Sequence, residues 1–303
     1  MTQDATDANP PVILPALAVA GTVLTWAGSF PAIGYALRTI EPLPLASIRF
    51  AIAGLVAAAW LLWRRPPSLG LRGTGTVALC GVLGIALYNV LLNTGQATVS
   101  AGAASFIVNT QPLFMAVLAV LVLKEAFNRW AWLGTALGLA GVAIIASGQP
   151  GGLSFGTGST LIVGAAAATA TASVLQRPLF ARAAPLDITA MALLAGGIAL
   201  LPWLPAGVTQ ARAAGTDMAL AVLFLAVGPG IIGQSCWTYA LKSFGAARAG
   251  QFLYLIPPVA VLLAWAMLGE VPQALTLAGG ALALAGVIVV NSRGRRNAAP
   301  RAR

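Results

Sequence analysis

The chain is 303 residues long, 59% of them hydrophobic and only 8% charged, and its mean hydropathy is +0.88. One aqueous core cannot hide that much apolar surface, so lipid must cover most of it and a soluble globular domain is excluded. The formal charge of +10 sits in short breaks between apolar runs rather than on a basic soluble face, which excludes nucleic acid as the partner and leaves membrane lipid.

A bilayer core takes about 20 apolar residues per helix, and ten such runs fit along the chain. Residues 1–11 form a tail with Asp4 and Asp7 and no Lys or Arg. That is the wrong charge for a cleavable signal peptide, so the first run reads as a permanent span. Five spans are predicted at 12–37, 43–63, 74–96, 101–123 and 130–147, making one repeat over 12–147. Five more are predicted at 158–177, 188–204, 218–241, 246–268 and 274–291, making a second repeat over 158–291, with a basic tail at 292–303. The fold class is therefore all-α integral membrane, ten transmembrane helices as two five-helix repeats. Cys80 and Cys236 each lie inside an apolar run and read as small buried hydrophobes, with no disulfide framework.

Charge placement tests this layout, because cytoplasmic loops carry the excess of Lys and Arg. With the N-terminus inside, the cytoplasmic side holds all 17 Lys and Arg except Arg38 and Arg212 in outer loops and Arg49 within a span. A wrong number of spans would scramble that asymmetry. It therefore supports both the count and a multi-pass protein of a bacterial-type inner membrane with N- and C-termini cytoplasmic.

One constant shift, without gaps, lays residues 88–145 over 233–290. It pairs Ala101 with Ala246, Pro112 with Pro257, Glu125 with Glu270, Gly134 with Gly279, and Leu139-Ala140-Gly141-Val142 with Leu284-Ala285-Gly286-Val287. Apolar composition pairs Leu and Ala by chance, but it does not readily align Pro, Glu and Gly as well. With an odd number of spans in each half, equivalent helices must cross in opposite directions. Inverted repeats of this kind are a transporter architecture, with the substrate near the midplane between the halves.

The run Thr25-Trp26-Ala27-Gly28-Ser29-Phe30, the run Leu45-Ala46-Ser47-Ile48-Arg49-Phe50, and the repeated helix-Glu-helix ending in Gly-Val resemble the drug/metabolite transporter superfamily in its EamA-like form. The resemblance covers nearly the whole chain. Within that group the chain is similar to bacterial exporters of amino acids and related metabolites, including the aromatic amino-acid exporters. The resemblance implies alternating access, a cavity lined by the non-terminal helices of each repeat, and export of a small neutral or zwitterionic substrate. Small multidrug-resistance relatives use a membrane-embedded glutamate in their first helix, and the first span here has none, which argues against a proton-coupled cation exporter.

Polar side chains within spans must face protein or water. Asn89, Asn93 and Gln96 share one face of the third span, beside Tyr88. Ser105 and Asn109 do so on the fourth, Thr169, Ser173 and Gln176 on the sixth, Gln234 and Thr238 on the eighth beside Trp237 and Tyr239, and Gln251 and Tyr254 on the ninth. Any one stripe could be interhelical glue at about 0.6 kcal/mol per contact; five together favour a water-filled pocket. Tyr88, Trp237, Tyr239 and Tyr254 are then expected to stack on a substrate, and Asn93, Gln96, Asn109, Gln234 and Gln251 to hydrogen-bond its amine and carboxylate.

Pro31, Pro112, Pro229 and Pro257 each deprive a carbonyl four residues earlier of its helical donor, as fixed kinks or as gating hinges. Arg49 could meet a substrate carboxylate, snorkel to the interface or tie down backbone carbonyls. Glu125 and Glu270 read as helix-end ties, and Asp187 and Asp217 as loop residues. With no histidine, no paired intramembrane carboxylates and no metal-ligand cluster, an enzyme, a metal and a cofactor are not expected. The other readings are a lipophilic drug exporter and a non-transporting membrane protein; the second would not need the duplication. None of these readings fixes an oligomeric state.

Overall fold

A computed structural model of the chain describes residues 13–99, 101–125, 127–147, 156–268 and 274–293. Glu270 and the two predicted tails fall outside the described residues, apart from Ser292 and Arg293. Every regular element among the described residues is helical.

The first half runs α1 (Ile13–Ala36), α2 (Pro42–Arg64), α3 (Gly70–Gly81), a π-helical segment (Val82–Leu87), α4 (Tyr88–Gln96), α5 (Ala101–Val108), α6 (Gln111–Leu123) and α7 (Arg129–Ser147). The second opens with α8 (Thr157–Gln176), a 3-10 turn (Arg177–Ala181), α9 (Pro185–Leu200), a 3-10 turn (Leu201–Trp203) and α10 (Leu204–Ala213). It continues with α11 (Thr216–Leu225), a π-helical segment (Ala226–Gly233), α12 (Gln234–Phe244), α13 (Ala246–Gln251), a 3-10 turn (Phe252–Leu255), α14 (Ile256–Leu268) and α15 (Ala274–Arg293).

Among the described residues, seven helical stretches are long and apolar enough to cross a membrane: Ile13–Ala36, Pro42–Arg64, Gly70–Gln96, Ala104–Leu123, Thr157–Ala181, Pro185–Ala213 and Thr216–Phe244. Leu277–Val290 is a shorter apolar helix. The predicted seventh span begins earlier than its apolar run suggests, because Pro185 occupies the first turn of α9 and draws Asp187 into the helix. Asp217 likewise sits in the first turn of α11. Both acids are thus helix-start residues, where the dipole favours a negative charge. Arg212 belongs to α10 rather than to a loop.

Helix ends follow local chemistry. Pro42 opens α2, where its missing N–H costs nothing. Arg65 and Lys124 take left-handed conformations that close α2 and α6, where the Arg65 N–H donates to the Leu61 carbonyl and the Glu125 N–H to the Ala119 carbonyl. Gly245, at φ +80°, makes the turn from α12 into α13.

The halves echo one another in backbone as well as in sequence. Under the shift that pairs Glu125 with Glu270, the two π-helical segments coincide, and the break at Asn109 and Thr110 coincides with the 3-10 turn Phe252–Leu255. Packing follows the same exchange: α4 lies on α8 as α12 lies on α1, and α6 on α8 as α14 on α1. Meanwhile α2 packs on α9, α6 on α13, and α7 on α15. The last pair meets backbone to backbone. A Cβ at Gly134 would come within 2.6 Å of the Gly286 carbonyl, and one at Gly141 within 2.5 Å of the Gly279 carbonyl. Small residues hold helices together this way where lipid supplies no hydrophobic drive between them.

Candidate functional site: a cavity between the halves

A narrow cavity of about 50 Å³, which widens to about 700 Å³ when the open space at its mouth is counted, lies between the two halves. Its walls respect the duplication. Gly84 and Pro229, Ile85 and Gly230, Asn89 and Gln234, Val108 and Leu253, and Gln111 and Ile256 are paired by the same shift, and both members of every pair line it. The cavity therefore sits on the relation between the halves, where a change in their arrangement would reshape it most.

Irregular backbone builds these walls. Each π-helical segment fits an extra residue into a turn and re-aims the side chains around it. The Pro229 carbonyl, in the second segment, accepts a hydrogen bond from Trp26 Nε1 at 3.3 Å. In the first half, the Asn109 amide donates to Phe106, so the Ser105 carbonyl loses its helical donor and accepts Asn109 Nδ2 at 2.6 Å instead. That leaves Asn109 Oδ1 buried without a partner. Pro112 has no N–H to offer the Val108 carbonyl, so acceptor capacity gathers at this break.

Arg49 is the costliest group in the wall. It lies about 10 Å in from the Pro42 end of α2, and only 3% of it is exposed. Its Nη1 donates to Asn89 Oδ1 at a long 3.4 Å, its guanidinium stands 5.4 Å from the Phe50 ring centroid, and its Nε has no partner. Asn89 is oriented for this role by its own Nδ2, which donates to the Ile85 carbonyl at 2.8 Å. No Asp or Glu lines the cavity among the described residues. A guanidinium has five N–H donors, and placing it within a membrane helix costs about 2.5–3.5 kcal/mol on insertion scales. One long hydrogen bond does not offset that.

Trp26, Phe30, Phe50 and Tyr88 give the cavity an aromatic rim, and Ser29, Gln111, Thr169 and Gln234 add neutral polar groups. Of the predicted site residues, Tyr88, Asn109, Gln234 and Pro229 stand in this wall. Asn93 donates to the Pro42 carbonyl at 3.1 Å and Gln96 to the Phe30 carbonyl at 2.8 Å, tying α4 to α2 and α1. Trp237 backs the wall, its ring 5.6 Å from that of Trp26 and its Nε1 donating to Ser173 Oγ at 3.4 Å.

Tyr239 is half-buried on α12 outside the cavity lining. Gln251 and Tyr254 turn towards the α7–α15 pair. Gln251 accepts from Thr135 Oγ1 at 3.0 Å, and the Tyr254 ring lies against Gly138 among Val142, Ala283 and Val287. Pro31 is exposed, while Pro112 and Pro257 are buried away from the lining.

Trp26, Ser29 and Gln111 are cavity residues that the polar stripes did not select. The available signal was the spacing of Trp26, Ser29 and Ile33 along one face of α1. An aromatic on an apolar helix reads equally well as lipid-facing.

Two acids serve structure. Glu125 accepts from the backbone N–H groups of Ala246 and Ala247 at 3.2 and 3.1 Å, a carboxylate on the start of α13 that ties one half to the other. Asp187 is buried and accepts from Trp60 Nε1 at 3.0 Å. Among the described residues, no three His, Cys, Asp or Glu gather where a metal could bind.

Comparison with known proteins identifies the family. The EamA-like transporter family matches residues 13–147 and again 156–292. A probable terminal-alkyne amino-acid exporter of Streptantibioticus cattleyicolor is 38% identical over 288 residues, covering 92% of this chain and 94% of that protein. The uncharacterized transporter YdfC of Bacillus subtilis is 31% identical, covering 86% of each chain. The uncharacterized inner membrane transporter YedA of Escherichia coli is 29% identical over 88% of this chain and 87% of its own. A solved crystal structure, 20% identical in sequence, superposes with a TM-score of 0.73 over 94% of this chain and 99% of the other, a likeness of fold. With both halves matched, the chain belongs to the EamA-like transporter family and is a multi-pass membrane transporter.

Proposed function

We propose that the protein is a secondary transporter that exports amino acids, aromatic ones preferred, across an inner membrane by alternating access. In this reading α7, the run from α13 to α14, and α15 complete ten spans. The two five-helix halves are inverted, and both termini are cytoplasmic. The observation that carries the reading is the cavity wall built from equivalent positions of both halves, the arrangement expected of a site that opens to alternate sides when inverted halves rock. The amino-acid exporter among the relatives supports the substrate class.

Tyr88 and Trp26 supply stacking surface, with Trp237 supporting Trp26 from behind. Asn109 and Gln234 supply hydrogen bonds. Pro112, Pro229 and Pro257 lie at the breaks that let helix halves move, whereas Asn93, Gln96, Gln251 and Tyr254 hold the helices around the cavity.

The test is flux of radiolabelled tryptophan, phenylalanine and threonine in proteoliposomes of purified protein, with empty liposomes and an Asn109→Ala, Gln234→Ala double variant as controls. Saturable flux of the aromatic pair, reduced at least tenfold in the variant, is expected. No flux of any of the three above empty liposomes, with flux of lipophilic drugs instead, would overturn the substrate assignment.

A further inference from the structure

We propose that Arg49 is the carboxylate-binding residue of the cavity, so that the protein selects substrates by their free α-carboxylate; this rests on the reading of the protein as an amino-acid transporter. Three roles are open to an arginine in a membrane helix, and the surroundings of Arg49 remove two. Snorkelling needs the head group to reach an interface, but Arg49 is 97% buried against side chains of the cavity. Tying down freed carbonyls needs hydrogen bonds to backbone oxygens, and among the described residues its hydrogen bond is to the Asn89 side chain.

What remains is a cation with an unpartnered Nε, in a cavity whose lining holds no Asp or Glu among the described residues. A planar guanidinium takes a carboxylate through two parallel N–H···O bonds. The contact to Asn89, at 3.4 Å, is weak enough to yield when a charged acceptor arrives. Phe50, 5.4 Å from the guanidinium, screens one side of it with a ring. The aromatic rim gives the rest of an aromatic amino acid an apolar face to lie on, while the unpartnered Asn109 Oδ1 offers an acceptor for its ammonium group.

The experiment is competition against radiolabelled phenylalanine in proteoliposomes of the full chain, using unlabelled phenylalanine, phenylalanine amide and 3-phenylpropionate. The amide lacks the charged carboxylate and the propionate lacks the amine. In the wild-type protein, phenylpropionate should compete and the amide should be about 10- to 100-fold weaker than phenylalanine, the range expected for losing a hydrogen-bonded charge partner. Arg49→Gln should erase the preference for acid over amide to within about threefold, and Arg49→Lys should keep part of it.

An amide that competes as well as phenylalanine in the wild type would overturn the assignment while leaving amino-acid transport standing, and so would an Arg49→Gln protein that keeps the full preference. If Arg49→Gln does not fold, the wild-type comparison decides alone. Absence of phenylalanine flux in the wild type would remove the transport reading and this assignment together.

Discussion

The two walls of the cavity share five pairs of equivalent positions and differ in chemistry. The first half contributes the charge, Arg49, the aromatic rings Trp26, Phe30, Phe50 and Tyr88, and the amides of Asn89, Asn109 and Gln111 beside aliphatic residues; the second contributes Thr169, Pro229, Gly230, Gln234, Leu253 and Ile256. Duplication supplied paired positions, and divergence put the charge and the aromatic rings on one side and left the other with small and aliphatic residues around Thr169 and Gln234. If the substrate binds here, a charged end would give it one favoured orientation, which a fully symmetric cavity could not impose.

The largest effect should come from filling the space on the apolar side. A Cβ at Gly230 would meet the Leu225 carbonyl at 3.2 Å and the Phe50 ring at 4.0 Å. Gly230→Phe should therefore lower proteoliposome flux about 100-fold or more, with correctly folded protein by size-exclusion chromatography. Flux within a fewfold of wild type would mean that substrate passes elsewhere.

A smaller and more pointed test compares a paired position. Asn89→Leu removes the hydrogen-bond partner of the buried guanidinium and should lower stability by about 1–2 kcal/mol in thermal unfolding. Gln234→Leu, at the equivalent site, should change stability by less than about 0.5 kcal/mol. Equal losses at both positions would show that the walls are not as different as their residues suggest. Smallest is Tyr254→Phe. The buried hydroxyl has no partner, so its removal should leave flux unchanged and stability equal or higher by about 1 kcal/mol. A flux defect there would place Tyr254 in the transport path.

How far the sequence carried this account is clearest at two paired residues, Asn109 and Tyr254. Helical spacing put each on a polar stripe, and spacing does say which side chains share a face. It does not say what the face meets. Asn109 meets the cavity, whereas the Tyr254 ring meets α7, where Gly138 has no Cβ to keep it out. The partner of Gly138 is not readable from the sequence, because it depends on how α7 and α15 dock.

The membrane character and the repeat were legible for a firmer reason. Lipid demands long uncharged runs, and the shift aligns Pro, Glu and Gly as well as apolar residues. The π-helical segments were not legible, since a widened turn needs no marker residue. Yet they place Gly84, Ile85, Pro229 and Gly230 in the cavity wall. Arg49 was conspicuous in the sequence, but its isolation from acids and carbonyls emerges only once its neighbours are in place.

The most direct test of the central claim is substrate protection of a cavity cysteine. In a Cys80→Ala, Cys236→Ala background, Gln234→Cys and Tyr254→Cys would be exposed to a small maleimide with and without phenylalanine. The account predicts that the cysteine at position 234 reacts, that phenylalanine slows the reaction with saturable dependence, and that the cysteine at position 254 stays unreactive. Labelling at position 234 that is indifferent to phenylalanine, in protein that still transports it, would contradict the claim that this cavity is the substrate site.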